Sequence, residues 1–151
     1  MIYQSNLIQS LLASSTSVAT AAGVASMANR VSIRIGEDHM VGSVNMGRLP
    51  CIYVRQVSVS YDFEAEPTHE GTRSTDWVIT LLVPTFLNRS DTQYQLLESI
   101  KQAVLVALTA SLELGLTNVR ESIPTVTQMS TQMDITFTTE TSYNNNYSEG
   151  T

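Results

Sequence analysis

Apolar residues recur along this chain with two periods, and the changes of period mark its elements. In SNLIQSLLAS, residues 5–14, Leu7, Ile8, Leu11 and Leu12 make one stripe at helical spacing, and Ser5 or Asn6 can cap it. The next stretch, STSVATAAGVASMANR, is rich in alanine but interrupted by serine, threonine and Gly23. It predicts a loose helix or a long surface segment over 15–30. VSIRI, 31–35, alternates with Val31, Ile33 and Ile35 on one face, which predicts a short strand. Residues 36–50 hold three glycines and a proline among polar residues and predict an irregular connection. At that length such a loop is often functional.

Strict alternation then takes over. In CIYVRQVSVSYDF, 51–63, Cys51, Tyr53, Val57, Val59, Tyr61 and Phe63 share one face, interrupted by Arg55, while Gln56, Ser58, Ser60 and Asp62 share the other. This predicts a long strand with one packed and one wet face. DWVITLLVPTFL, 76–87, predicts a second strand with Trp77, Ile79, Leu81 and Val83 on one face. Val78 and Leu82 on the other face suggest burial on both sides, and Pro84 should end the strand or mark a bulge. Residues 90–115 give the clearest helix. Ser90 with Gln93 fits a capping box, Asp91 suits the positive end, and Gly115 suits the C-cap. Leu97, Ile100, Val104, Ala107, Leu108 and Leu112 lie on one face of it. Last comes VTQMSTQMDITFTTETSY, 126–143, with Met129, Thr131, Met133, Ile135, Phe137, Thr139, Thr141 and Tyr143 on one side. Met129 and Met133 read as core. Strands with helices segregated to one face predict an α+β domain over 1–143. Its sheet is antiparallel or mixed and made of long strands, with the long helix packed across one face and an N-terminal helix beside it. Residues 144–151 have little to bury and predict a flexible tail.

Composition narrows the function classes. At 42% hydrophobic residues the chain of 151 can bury a core, and its length suits one domain. A net charge of −6 and a pI near 4.7 oppose nucleic-acid and anionic-membrane binding, because the eight cations are scattered. Seven of those eight are arginine, the cation favoured at protein interfaces. The single cysteine, Cys51, excludes an internal disulfide and fits a reducing compartment. Residues 7–28 match neither a signal peptide nor a membrane span.

Candidate chemistry centres on DFEAEPTHEGTRSTDW, 62–77, with five acids, a histidine and an arginine. Glu64, Glu66, His69, Glu70 and Asp76 could hold a metal, but one histidine without cysteine is poor for zinc. The carboxylate spacing only loosely follows a calcium loop. The competing reading is a long hairpin loop of about a dozen residues that touches a neighbouring molecule. His39 lacks any nucleophile-elbow context, and Cys51 reads as core before it reads as nucleophile. The chain has no phosphate loop, dinucleotide fingerprint or H-E-x-x-H motif, so nothing points to an enzyme or to a cofactor.

The order of parts is a helix, a loop ending in RLPCIYV, two long strands with an extended hairpin loop, the helix in DTQYQLLESIKQAVLVAL and a closing strand. It resembles the tail terminator proteins of tailed bacteriophages over 5–14, 48–63, 77–87, 91–112 and 126–143. The likeness lies in the order of elements, Leu49-Pro50 before a strand is its one motif-like feature, and 15–30 fits it poorly. The resemblance implies a virion protein, made in the bacterial cytoplasm, without catalysis or cofactor. Its subunits would form a homo-oligomeric ring, usually of six, that caps the tail tube protein, stops its polymerisation and offers a platform to the head connector or completion protein. DNA would pass through the acidic channel without specific binding, and no membrane is involved. Interface candidates on this reading are Glu64, Glu66, His69, Glu70, Arg73 and Asp76 in the hairpin loop, with Glu37, Asp38 and Arg48 in the second loop. A different head-tail neck or head-completion protein, or a small metal-dependent enzyme built on 62–76, are the alternatives.

Overall fold

The computed structural model describes residues 2–34, 49–63, 70–86, 91–111 and 114–144. In chain order the elements are α1 (Ile2–Ser14), α2 (Thr16–Ala22), β1 (Val31–Arg34), β2 (Cys51–Phe63), β3 (Glu70–Pro84), α3 (Thr92–Thr109), β4 (Thr117–Glu121), β5 (Thr125–Val126) and β6 (Ser130–Asn144). The fold is α+β. One mixed six-stranded sheet has the order β1-β2-β3-β6-β4, with β5 also on β6. β1 runs parallel to β2, and the other pairs are antiparallel.

All three helices pack on one face of this sheet. α1 buries Gln4, Ile8 and Leu12, one turn apart, with Leu7 and Leu11 beside them. Segment 15–30 is not a surface excursion. Ser15 caps α2 through Val18 N at 3.2 Å, and Gly23 closes it at φ 74°. Its small residues Ala19 and Ala22, with Val18, let α2 lie against α3, and Met27 beyond it is also buried. α3 presents Leu97, Ile100, Val104 and Leu108 to the sheet. It is shorter than its apolar pattern suggests. Ser90 and Leu112 lie outside the described residues, Asp91 occupies the N-cap without a side-chain bond, and Gly115 is not the C-cap. The helix ends at Thr109, whose hydroxyl bonds back to Leu105 O at 2.7 Å; Gly115, at φ 54°, serves the later turn into β4.

β3 and β6 bear the alternation that their sequences suggest. Trp77, Ile79, Leu81 and Val83 face the helices opposite Phe137, Ile135, Met133 and Thr131, and β3 ends at Pro84. Val78 and Leu82 on the other face are buried as well. Met129 is not core: it sits in the turn before β6, 60% exposed. The face assignment of β2 is also corrected. Its register on β3 slips between Gln56 and Ser58, leaving Val57 as the extra residue of a bulge. Before the bulge Ile52 and Val54 face the helices; after it Val59 and Tyr61 do. Cys51 and Tyr53 therefore lie on the opposite face from Val59 and Tyr61, packed with Leu49 and Leu82.

Two strands carry no sequence signature. β4 and β5 are exposed throughout, and β4 contains Asn118 at φ 54° beside a register shift, so neither shows alternation. β6 remains paired as far as Asn144, and residues 145–151 lie outside the described residues.

Candidate functional site

Every described residue of the acidic stretch 62–77, namely 62, 63 and 70–77, lies in a strand. β3 begins at Glu70; residues 71–76 pair with 58–63 of β2 on one side, and residues 70–76 with 138–144 of β6 on the other. The expected loop over 64–76 is corrected accordingly: polar residues can extend a ladder without alternation, because backbone pairing and not burial holds them. The result is a three-stranded ribbon beyond the helical layer. Residues 57–62, 71–74, 140 and 141 include no buried side chain. At ~3.3 Å per residue the ribbon extends roughly 20 Å past the bulge.

Of the interface candidates, Glu37, Asp38, Arg48, Glu64, Glu66 and His69 lie outside the described residues, as does His39. Glu70 opens β3 opposite Asn144. Arg73 and Asp76 are parted by the pleat. Arg73 stands opposite Tyr61 and Thr141 on the helix side, and Asp76 stands opposite Ser58 and Thr138 on the other face. Among the described residues no group of three His, Cys, Asp or Glu side chains could hold a metal ion. No helix among them is long and apolar enough to cross a membrane.

On the face away from the helices, carboxylates are held by hydroxyls. Ser58 Oγ and Thr138 Oγ1 each donate to Asp76 at 2.7 Å. Thr80 Oγ1 donates to Asp134 at 2.7 Å, and Ser74 Oγ to Glu140 at 3.4 Å. The Thr138 bond, then the Ser58 bond, hold the Asp76 carboxyl below its ordinary range. Asp62, next to Tyr61 on the ribbon, is exposed on this same face.

The β1–β2 end of the face has the opposite sign. Parallel pairing sets Arg34 beside Arg55, and the Arg34 guanidinium lies 4.0 Å over the Tyr53 ring. Both Nε atoms are buried without a hydrogen-bond partner among the described residues. Residues 2–34 and 49–61 contain Arg30, Arg34 and Arg55 and no acid. Arg30 donates to Pro50 O at 3.2 Å. Burial pushes the Cys51 thiol up, only partly offset by a bond with Tyr53 and by Arg34 and Arg30. A thiol that stays protonated is a poor nucleophile.

Sequence reasoning missed Arg34, Asp134 and Glu140 as a charge pattern. Arg55 was visible as a break in alternation, but only the parallel pairing of β1 brings Arg34 to its side.

A further surface lies at the β4 edge. Tyr94 and Ile123 are exposed at a groove of about 350 Å³ that Leu97 and Met133 also line, and Val119 on β4, Val126 on β5 and Met129 before β6 are exposed as well. Its rim holds Glu98 and Glu121, both paired with Lys101.

No family model matches the chain, and no curated protein does. Among solved structures, the chain is similar to one chain of the virion of a native gene transfer agent particle. The TM-score is 0.47 at 13% identity, covering 90% of this chain and 92% of that one.

Proposed function

We propose that this chain is a structural protein of a phage-like virion, a tail terminator whose copies form a ring on the end of the tail tube. The observation that carries this reading is the outer ribbon of β2, β3 and β6. It is a long, hydrogen-bonded platform, and over 57–62, 71–74, 140 and 141 it includes no buried side chain among the described residues. Long strands without a covered face are costly to keep free and are commonly completed by another chain. The order of elements, with one long helix across a sheet of long strands, fits the architecture that the sequence resemblance implies.

On this reading no bond is made or broken. Free subunits leave the ribbon and the β4 edge in water. Docking on a neighbour and on the last tube ring hides these surfaces, so assembly stabilises the capped state by mass action. A ring needs a heterologous contact, in which two different surfaces of one subunit meet on adjacent copies. The acidic balance suits a passage for DNA that must not bind it.

The test is native mass across a wide concentration range, with electron micrographs of any large species, followed by addition to a polymerising tail tube protein. A closed ring with a central hole that halts tube growth is the expected result. A protein that forms no ring and leaves tube length unchanged would refute the proposal. Binding to the head portal and not to tube ends would favour a head-completion role instead.

A further inference from the structure

We infer that the Arg34–Arg55 pair is a docking point for a second copy of this chain, and that the carboxylates on the outer ribbon of that copy occupy it. The inference names the contact surface within the assembly reading above and rests on it for the identity of the occupant.

Two arginines side by side on adjacent strands repel one another and are destabilising unless an anion lies between or above them. Here no carboxylate among the described residues lies within ion-pair distance of either one, and both Nε donors are buried without a partner. Stacking on Tyr53 fixes the Arg34 guanidinium plane, which reduces the entropy lost when a carboxylate binds it.

The matching anions belong to the same face of the same sheet: they begin one diagonal step from Arg55, at Asp76 two residues from its partner Val78, and run outward along the ribbon. Asp62, Asp76 and Glu140 are exposed on the ribbon, and Asp76 and Glu140 accept hydrogen bonds from hydroxyls. Asp134 lies half-buried further along β6. Described residues 2–34 and 49–61 carry three cations and no acid. The remaining described residues carry eight acids (Asp62, Glu70, Asp76, Asp91, Glu98, Glu121, Asp134, Glu140) against Arg73, Lys101 and Arg120. A face with cations at its β1–β2 margin and carboxylates along the ribbon is complementary to its own copy. An anionic polymer such as DNA also offers acidic groups, but the net charge of −6 repels it.

Two charge-reversed proteins test this, each checked for folding by circular dichroism and a thermal melt. The first carries Arg34→Glu and Arg55→Glu; the second carries Asp62→Arg and Glu140→Arg. Each alone should self-associate at least ~30-fold more weakly than the parent, since removing one side of a desolvated charge pair has effects of that order. An equimolar mixture should regain parental association, because each variant then meets its complement. Parental association of the folded arginine variant alone, failure of the mixture to recover, or a parent that stays monomeric at the highest concentration reached would each overturn the inference. So would loss of association only when DNA is removed. Rings formed equally by parent and arginine variant would refute this contact but leave the terminator reading intact. Association that depends on the arginines but gives no ring and no tube capping would do the reverse.

Discussion

The inner and outer halves of this sheet share strands, pairing and register, yet they differ in everything that supplies stability. In the inner half Ile52, Val54, Ile79, Leu81, Ile135 and Phe137 are closed off by three helices. Beyond the bulge at Val57 the same three strands run on with their ladders intact and no buried side chain over 57–62, 71–74, 140 and 141. A backbone hydrogen bond contributes about 1 kcal/mol net, whereas a fully buried large apolar side chain contributes about 1.5–3 kcal/mol. The inner half therefore holds the fold, and the outer half is supported by its attachment to it. That division leaves the ribbon's side chains free to be chosen for contact.

The largest test of this comparison is Trp77→Ala against Tyr61→Ala. Trp77 is 1% exposed at the junction of the halves, while Tyr61 is 46% exposed on the ribbon. Urea unfolding should show a loss of about 3–5 kcal/mol for the tryptophan. For the tyrosine the change should stay within about 0.5 kcal/mol. Similar losses at both sites would mean that the ribbon has a core of its own.

A smaller effect is expected from Thr139→Val. Thr139 is buried, and its hydroxyl accepts from Trp77 Nε1 at 2.9 Å. Valine keeps the shape and strands the indole N–H, so the loss should be about 1–3 kcal/mol. Thr141→Val, one repeat outward, is the control and should be nearly neutral. An equal cost at Thr141 would move the boundary between the halves outward.

The same boundary separates what the sequence made legible from what it did not. Where burial selects side chains, periodicity was readable: Leu97, Ile100, Val104 and Leu108 on α3, Trp77 to Val83 on β3, and Thr131 to Thr139 on β6. Where only backbone pairing acts, side chains carry little record of it. Residues 70–76 looked like loop because Glu-Gly-Thr-Arg-Ser-Thr-Asp has no apolar face, and β4 and β5 are exposed throughout for the same reason. The bulge is a third kind of loss. One extra residue at Val57 reverses the facing of everything after it, so unbroken counting placed Cys51 and Tyr53 with Val59 and Tyr61. The Arg34–Arg55 juxtaposition was out of reach for a different reason, since it depends on the parallel pairing of β1, a long-range choice. For the acidic candidates, legibility extended to composition: Asp76 was visible as an acid, but not as the acceptor of two cross-strand hydroxyls.

That arrangement sets the smallest effect, an acid dependence of stability at the root of the ribbon. Asp76 sits just past the bulge, with its carboxyl held below the ordinary value of 3.8 by Thr138 first and Ser58 second. Because the folded value is the lower one, the unfolded chain takes up the proton first as pH falls. The contribution is therefore complete above the ordinary value and lost as pH drops through the folded one. The group is exposed, so solvent screens it and the effect is slight. In a Ser58→Ala, Thr138→Val double variant the Asp76 carboxyl, followed by carbon NMR, should titrate at a higher pH than in the parent. Its urea midpoint should trail the parent at pH 7 and converge with it once the pH has fallen through the parent's folded value, where Asp76 is protonated in both states. An unchanged titration would mean that the hydroxyls do not hold the charge. Convergence on acidification would tie the root of the ribbon to the sheet through a carboxylate bonded to both neighbouring strands, with no apolar contact needed there.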